Sequence, residues 1–175
     1  MMLRKANLGF TMIEILVVMV VVGLLAALAI TNLGGGSEQR KLTSQVRELY
    51  VLMQTASDQA ILNNQELGLS ITEEGYRFMV FNELEERWQG QGERLFQERA
   101  FPPLVSVTLF ADDDLPKMVS DEAAEQPDIV FYSSGETTPF ELEFMLAQAE
   151  EQMISLISDG FSGIELQTAA DRAEL

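Results

Sequence analysis

Residues 10–30 read FTMIEILVVMVVVGLLAALAI, an apolar run that contains a single charged residue, Glu14. At 1.5 Å per residue, a helix of this length spans about 31 Å, enough to cross the hydrocarbon core of a bilayer. A carboxylate inside such a segment is costly and by default marks a functional site. We therefore expect residues 10–33 to form a transmembrane helix in which Glu14 has a function and a cationic partner.

The segment before this run is short and basic, since it contains Arg4 and Lys5. Two simple interpretations are open. One is a secretory signal peptide cleaved near the small residues at 27–29, and the other is a signal anchor in which Glu14 merely lies near the interface. Against the first, the apolar core of a signal peptide usually has about 7–15 residues and rarely carries a glutamate. Neither interpretation gives a role to the Gly9–Phe10 junction.

The stretch Gly9-Phe10-Thr11-Met12-Ile13-Glu14 resembles the leader and helix start of type IV pilins and type II secretion pseudopilins. The resemblance implies that a prepilin peptidase cuts after Gly9, that the new N-terminal Phe10 is methylated, and that Glu14 helps each subunit to dock in a helical filament. It also implies an anchor in the bacterial inner membrane and a C-terminal domain in the periplasm. After such a cut, Phe10 would carry a free α-ammonium group one helical turn from Glu14.

Composition limits the partners and the chemistry. The chain has 175 residues, a formal net charge of −17, and neither cysteine nor histidine. Nucleic acid is an unsuitable partner because phosphate binding needs a positive surface. Disulfides, thiol nucleophiles and histidine general bases are excluded. We expect no enzymatic activity, no catalytic residue, no cofactor and no small-molecule substrate.

Two groups of carboxylates need an interpretation. Asp112, Asp113 and Asp114 could bind calcium, but they lack the ligand spacing of a known calcium loop, so we interpret them as a solvated turn and expect no metal. Glu141 and Glu143 lie on one face of a predicted strand, about 7 Å apart. This spacing could suit glycoside hydrolysis. The same pair is the ordinary polar face of a half-buried strand, which we favour over a secreted or anchored acidic hydrolase.

A helical pattern follows three consecutive glycines at residues 34–36. Each glycine destabilises a helix by roughly 1 kcal/mol relative to alanine, so these residues are either a weak point in a long helix or a linker. Residues 37–63 are predicted to form an amphipathic helix that Ser37 could cap. Its apolar residues recur at intervals of three and four: Leu42, Val46, Leu49, Met53, Ala56 and Ala60. We expect this stripe to pack on the protein's own sheet rather than on a partner helix.

The pattern changes to period two after the helix, which predicts a β-rich domain over residues 64–175. The predicted strands are residues 76–81, 105–110, 129–132, 140–146, 153–158 and 164–167. Residues 89–92 and 112–126 are predicted loops. Short strands without intervening helices indicate an antiparallel two-sheet arrangement. The fold class is therefore α+β: a long N-terminal helix, half membrane-spanning and half amphipathic, packed on an antiparallel β-sandwich-like domain.

Landmarks in this domain narrow the resemblance. Tyr76-Arg77-Phe78, Trp88, Arg99-Ala100-Phe101-Pro102 and Pro139-Phe140-Glu141-Leu142 look like the H-type (GspH) minor pseudopilins of type II secretion. The resemblance implies residues 1–9 as a prepilin leader and the pseudopilin fold for the rest. It implies assembly with other minor and major pseudopilins near the tip of a pseudopilus that helps export folded proteins across the outer membrane. The alternative is a minor pilin of a type IV pilus, of the FimT/FimU kind.

Overall fold

The computed structural model describes residues 11–111, 125–147 and 149–172, and of residues 26–37, 149–152 and 170 it describes the backbone alone. The chain divides into two compact units, Met1–Arg40 and Lys41–Leu175. The boundary falls inside the first helix, just before the apolar stripe begins at Leu42. Every β-strand within the described residues belongs to the second unit.

Helix α1 spans Met12–Asn63 and has 52 residues. It includes residues 12–33 of the first predicted helical segment and all of the second, residues 37–63, so residues 34–36 lie within its bounds and the structure has no separate linker there. Ser37 likewise lies inside the helix and does not cap a second one. The physical reason is that glycine keeps its backbone N–H and C=O groups, so it weakens a helix without ending it, as proline would.

The predicted apolar stripe of α1 is buried. Its six residues, Leu42, Val46, Leu49, Met53, Ala56 and Ala60, are each at most 2% exposed and belong to the main hydrophobic core. The same core contains Leu67, Phe78 and Phe131 from one sheet and Leu142, Phe144 and Leu156 from the other. The stripe therefore packs on the protein's own sheets, as predicted, and not on a partner helix.

Nine strands in the described part of the chain form two antiparallel sheets. Sheet A has the order β3-β2-β1-β6, and β4 also pairs with β2. Its strands are β1 Leu67–Ile71, β2 Gly75–Asn82, β3 Arg87–Gly90, β4 Arg99–Ala100 and β6 Ile129–Phe131. Sheet B has the order β5-β7-β8-β9. Its strands are β5 Val105–Ala111, β7 Phe140–Leu146, β8 Ala149–Ser158 and β9 Glu165–Thr168, followed by a short helix α2, Ala169–Arg172.

The predicted strands at residues 76–81, 105–110, 140–146 and 153–158 match β2, β5, β7 and β8, and the α+β fold class is confirmed. Along β7, buried and half-buried residues alternate as the sequence pattern requires. The predicted loop at residues 89–92 is wrong at its start, because Gln89 and Gly90 belong to β3 and pair with Val80 and Met79. Hydrogen bonding to β2 makes this short polar segment a strand. Of the other predicted loop, residues 112–124 lie outside the described residues.

The aromatic landmarks Trp88 and Phe101 lie in different clusters. Trp88 is 7% exposed and packs with Met79, Phe81 and Val130 on one side of sheet A. Phe101 packs against the main core, where its ring lies 5.7 Å from that of Phe144. Both rings are therefore packing residues, and they do not form a shared surface.

Gly75, at the start of β2, is a position where packing forbids a side chain. A Cβ at this position would lie 2.2 Å from the backbone oxygen of Arg99 in β4, and backbone cannot move aside as a flexible side chain can. We predict that Gly75→Ala destabilises the domain by about 1–3 kcal/mol, the usual range for overpacking. Urea unfolding of a fragment of residues 37–175 measures the change.

Gly90, in β3, provides the matched control, since an added Cβ there meets no atom within 4 Å. We expect Gly90→Ala to change the free energy of unfolding by no more than about 0.5 kcal/mol. Equal effects of the two substitutions would contradict the steric explanation and point to a general intolerance of alanine in sheet A.

Candidate assembly site

The predicted site residue Glu14 lies in the first turn of α1. Thr11 directly precedes the helix, and the N–H of Glu14 donates a hydrogen bond to Thr11 Oγ1 at 3.3 Å and another to Thr11 O at 3.0 Å. A side-chain oxygen that accepts from the third helical residue is the usual N-cap arrangement. Thr11 therefore fixes where the helix begins, and with it the position of Glu14.

Glu14 has no cation within ion-pair distance among the residues that the structure describes. Its position at the N-terminal end of α1 is favourable for an anion, because the helix dipole is positive there. The other two predicted site residues, Gly9 and Phe10, lie outside the described residues. Any charge that neutralises Glu14 must therefore come from that part of the chain or from another molecule.

The part of α1 that carries Glu14, residues 12–25, is otherwise apolar on every side. Twelve large apolar side chains between Met12 and Leu25 are exposed, from 48% at Val21 to 92% at Met12. A helix that is apolar all round is normally buried in a protein core or in a membrane.

No helix within the described residues combines the length and the apolar character that a membrane crossing requires. The predicted transmembrane span at residues 10–33 includes Phe10 and the side chains of residues 26–33, which lie outside the described part of the chain.

Glu141 and Glu143, the carboxylate pair of β7, share one cation. The guanidinium of Arg172 in α2 pairs with Glu141 Oε1 and, at 3.2 Å, with Glu143 Oε1. It also donates a hydrogen bond to Ser155 Oγ at 3.0 Å, and Ser155 is 1% exposed. The pair therefore holds α2 against the outer face of sheet B. This arrangement supports a structural role for both carboxylates.

Asp112, Asp113 and Asp114 lie outside the described residues. Within the described ranges, no three acidic side chains come close enough together to hold a metal ion.

Thr11 and Arg172 are the two residues of these sites that the sequence analysis missed. Thr11 had a usable signal, since Thr-x-x-Glu at residues 11–14 is the pattern of a helix capping box. Arg172 had no such sequence signal, because its partners Glu141 and Ser155 lie 31 and 17 positions away from it in the chain.

Comparison with known proteins gives the class of this protein. A family model described as the prokaryotic N-terminal methylation motif matches residues 4–30. The minor pseudopilin EpsH of the type 2 secretion system of Vibrio cholerae has a similar structure, with a TM-score of 0.59, 17% identity, and coverage of 72% of this chain and 95% of that one. The chain thus has a pilin-type N-terminus joined to a pseudopilin fold.

The family follows from the sequence of the second unit. A family model described as type II transport protein GspH matches residues 45–160. The type II secretion system protein H of Pseudomonas aeruginosa is 32% identical over 165 residues, covering 90% of this chain and 94% of that one. Protein H of Aeromonas hydrophila is 26% identical and covers 87% of each chain. The chain belongs to the GspH family and is a minor pseudopilin, a structural subunit of type II secretion.

The Arg172 cluster generates a testable prediction. Arg172 is 32% exposed and Glu143 only 16%, so loss of the guanidinium leaves two neighbouring carboxylates poorly compensated. We expect Arg172→Ala to lower the free energy of unfolding by about 1–3 kcal/mol, between the values for surface and buried ion pairs. Thermal or urea unfolding of a fragment of residues 37–175 measures this loss of stability.

Arg87 provides the matched control, because it pairs with Glu85 where both side chains are largely exposed. We expect Arg87→Ala to cost no more than about 0.5 kcal/mol. Glu143→Gln should recover part of the stability lost in Arg172→Ala, since it removes one of the two like charges. Additive effects of the two substitutions would show that the pair does not act through charge.

Proposed function

We propose that this chain is made as a precursor with residues 1–9 as its leader, and that a prepilin peptidase cuts between Gly9 and Phe10. Phe10 is then N-methylated. Residues 10–33 hold the protein in the bacterial inner membrane, and residues 37–63 and 64–175 form the helix and β-rich body of a periplasmic domain. The subunit joins the tip region of a pseudopilus, a filament that helps to move folded proteins across the outer membrane. It acts by assembly and not by catalysis.

The observation that carries this proposal is the environment of Glu14. It is an acid in the first turn of α1, within an otherwise apolar stretch at residues 12–25, and the described residues supply it with no cation. Keeping such a carboxylate in lipid is costly unless an opposite charge meets it. After cleavage the chain itself supplies one, the α-ammonium of Phe10.

The pairing can occur within one helix or between two. Within one helix, Phe10 and Glu14 are separated by about 6 Å of axial rise, and the helix dipole already favours the acid at this end. Between helices, Glu14 of an incoming subunit can meet the ammonium of a subunit already docked. The second pairing sets the axial offset between subunits as well as the attraction, so it accounts for filament assembly and the first does not.

The apolar surface of α1 supports a membrane stage before assembly. The exposed side chains of residues 12–25 surround the helix, so contact with one neighbouring helix would cover only part of them. Lipid can cover all of them. In the filament, the same surface would be shared among several neighbouring helices, and Glu14 would select the register.

A minor pilin of a type IV pilus is the alternative function. An N-terminal methylation motif and an acid in the first turn suit both kinds of filament. The domain distinguishes them, since the GspH family match covers residues 45–160, which contain most of both sheets. We therefore favour the secretion pseudopilus.

The first prediction from this function concerns processing. The mature protein should begin at N-methyl-Phe10, and its intact mass should lack residues 1–9. Gly9→Ala should slow the cut and bulkier residues should slow it more, because a side chain is added beside the scissile bond. Mass spectrometry of the membrane-extracted protein measures both. A mature chain that begins at Ile30 would instead identify residues 1–29 as a secretory signal.

The second prediction concerns Glu14. We expect Glu14→Leu and Glu14→Ala to be cut and inserted normally but to co-purify and crosslink less with the other pseudopilins, and to reduce secretion. Glu14→Asp should be intermediate, because it keeps the charge on a shorter side chain. Ile15→Leu, at the next position, is the matched control and should behave as wild type. Equal incorporation of Glu14→Leu and wild type would refute the role of the carboxylate in docking.

A further inference from the structure

The most exposed apolar side chains of the second unit gather at one end of it. Among the described residues of this unit, the three most exposed large apolar side chains are Leu84 at 96%, Leu62 at 81% and Phe161 at 77%. Leu62 lies in the last turn of α1, Leu84 in the β2–β3 turn, and Phe161 in the β8–β9 turn. Large apolar side chains scattered singly need no explanation, but a group of them at one end does.

Contacts between the loops show that these residues share one end. The side chain of Gln65, just after α1, donates a hydrogen bond to the oxygen of Phe81, near the end of β2, at 3.4 Å. A cavity of about 440 Å³ lies between these segments and is lined by α1-terminal residues and by Leu84. On the other side, a Cβ at Gly135 would lie 3.5 Å from Ile61 Cδ1.

The loop that contains Gly135 also reaches the third apolar residue. It connects β6 to β7, and within it the N–H of Thr137 donates a hydrogen bond to the oxygen of Gly160 at 2.9 Å. Gly160 directly precedes Phe161. We name the exposed area formed by Leu62, Leu84, Phe161 and the loops that carry them the helix-end surface.

Hydrogen bonds order the backbone of the two turns that carry Leu84 and Phe161. Asn82 Oδ1 accepts hydrogen bonds from the N–H groups of Leu84 and Glu85, at 3.0 and 3.2 Å. Asp159 Oδ1 accepts from those of Phe161 and Ser162, at 2.8 and 2.7 Å. These hydrogen bonds, those from Ser162 first, lower the pKa of Asp159 to about 2, so its carboxylate stays ionised in mildly acidic solution as well as at neutral pH. Backbone ordered in this way loses little further conformational freedom on binding.

The charge around these side chains is negative. Glu83, Glu86, Glu136 and Asp159 are exposed on the same three loops, and none of them has an ion-pair partner among the described residues. Arg87, the nearest basic residue in sequence, already pairs with Glu85. The helix-end surface therefore has apolar anchors within an acidic rim.

This combination selects the kind of partner. Two copies of the chain that met through this surface would bring their acidic rims together, which is unfavourable. An anionic lipid surface would be repelled for the same reason. A protein surface with apolar sockets and a rim of lysine or arginine complements both features, since buried anchors supply affinity and rim charges supply orientation and association rate.

We propose that the helix-end surface docks a basic-rimmed apolar site on another pseudopilin subunit, with Leu84 and Phe161 as its two anchors. The proposal rests on the proposed function, because it takes the partner from the same filament. It is separate from the pairing of Glu14. Within the second unit, α1 runs from Lys41 to Asn63, about 33 Å, so this surface lies far along the helix from where the chain enters the domain.

The test uses the full-length protein in its own membranes. A photo-crosslinking amino acid is placed at position 84 or 161, and at position 104 as the control. Leu104 is 46% exposed but lies next to Val105, which pairs with Leu146 at the opposite end of sheet B. We expect positions 84 and 161 to crosslink to one of the other pseudopilins and position 104 to give no such product.

Affinity provides the second measurement. Purified periplasmic domains of the other pseudopilins, one at a time, are titrated against the detergent-solubilised full-length protein. The double variant Leu84→Ser, Phe161→Ser should bind the pseudopilin that crosslinks about tenfold more weakly or worse, which is the usual effect of removing anchor residues. The control variant Leu104→Ser should bind it as tightly as wild type. Raising the salt concentration from about 0.05 to 0.5 M should also weaken binding, because it screens the rim charges. Both altered side chains are exposed, so the thermal unfolding temperature should stay unchanged.

The outcomes separate this proposal from the function on which it rests. Crosslinks from positions 84 and 161 only to a second copy, or only to lipid, would overturn it. The proposal would also be overturned if the double variant bound every pseudopilin domain as tightly as wild type while Glu14→Leu still lowered incorporation. The protein would then be a filament subunit that does not use this surface. If the wild-type protein does not associate with any pseudopilin in membranes, the proposed function fails first.

Discussion

The apolar stripe of α1 is the contact on which the second unit depends. Residues 42–60 of the helix present one row of buried side chains, and the inner faces of both sheets pack on that row to form one core. The burial of apolar surface supplies most of the free energy of folding, and the helix contributes one whole side of this shared core.

The described residues of this core all lie within Lys41–Leu175, and the exposed apolar residues 12–25 of α1 are not among them. The same helix therefore carries two surfaces with different requirements. Residues 42–60 are satisfied by the protein's own sheets, whereas residues 12–25 remain exposed on every side and need lipid or other helices. This division suits a filament subunit, in which one part of the chain packs on itself and the other packs on its surroundings.

Charge is arranged according to the same division. Where the fold needs a fixed contact, an acid is paired or hydrogen-bonded, as Glu141 and Glu143 are with Arg172 and Asp159 is with its own turn. Where partners are expected, acids have no such cation among the described residues. Glu14 in the apolar part of α1 and the three glutamates of the acidic rim, Glu83, Glu86 and Glu136, are of this kind. Most of the acidic residues behind the net charge of −17 therefore serve to keep the protein soluble, and a few of them have specific roles.

The sequence by itself determined the features that depend on local order. The apolar run with its single acid, the three-and-four spacing of the helical stripe and the alternation along β7 are all periodic, and periodicity shows in the chain directly. Only the tertiary structure decided which distant residues meet. Strand β3 exists because β2 pairs with it, Arg172 has a role because α2 folds over sheet B, and Leu84 and Phe161 lie at one end of the domain because three loops end together. The contacts of Arg172 and of the three loops join residues far apart in sequence, and their meeting depends on topology, which leaves no periodic signal.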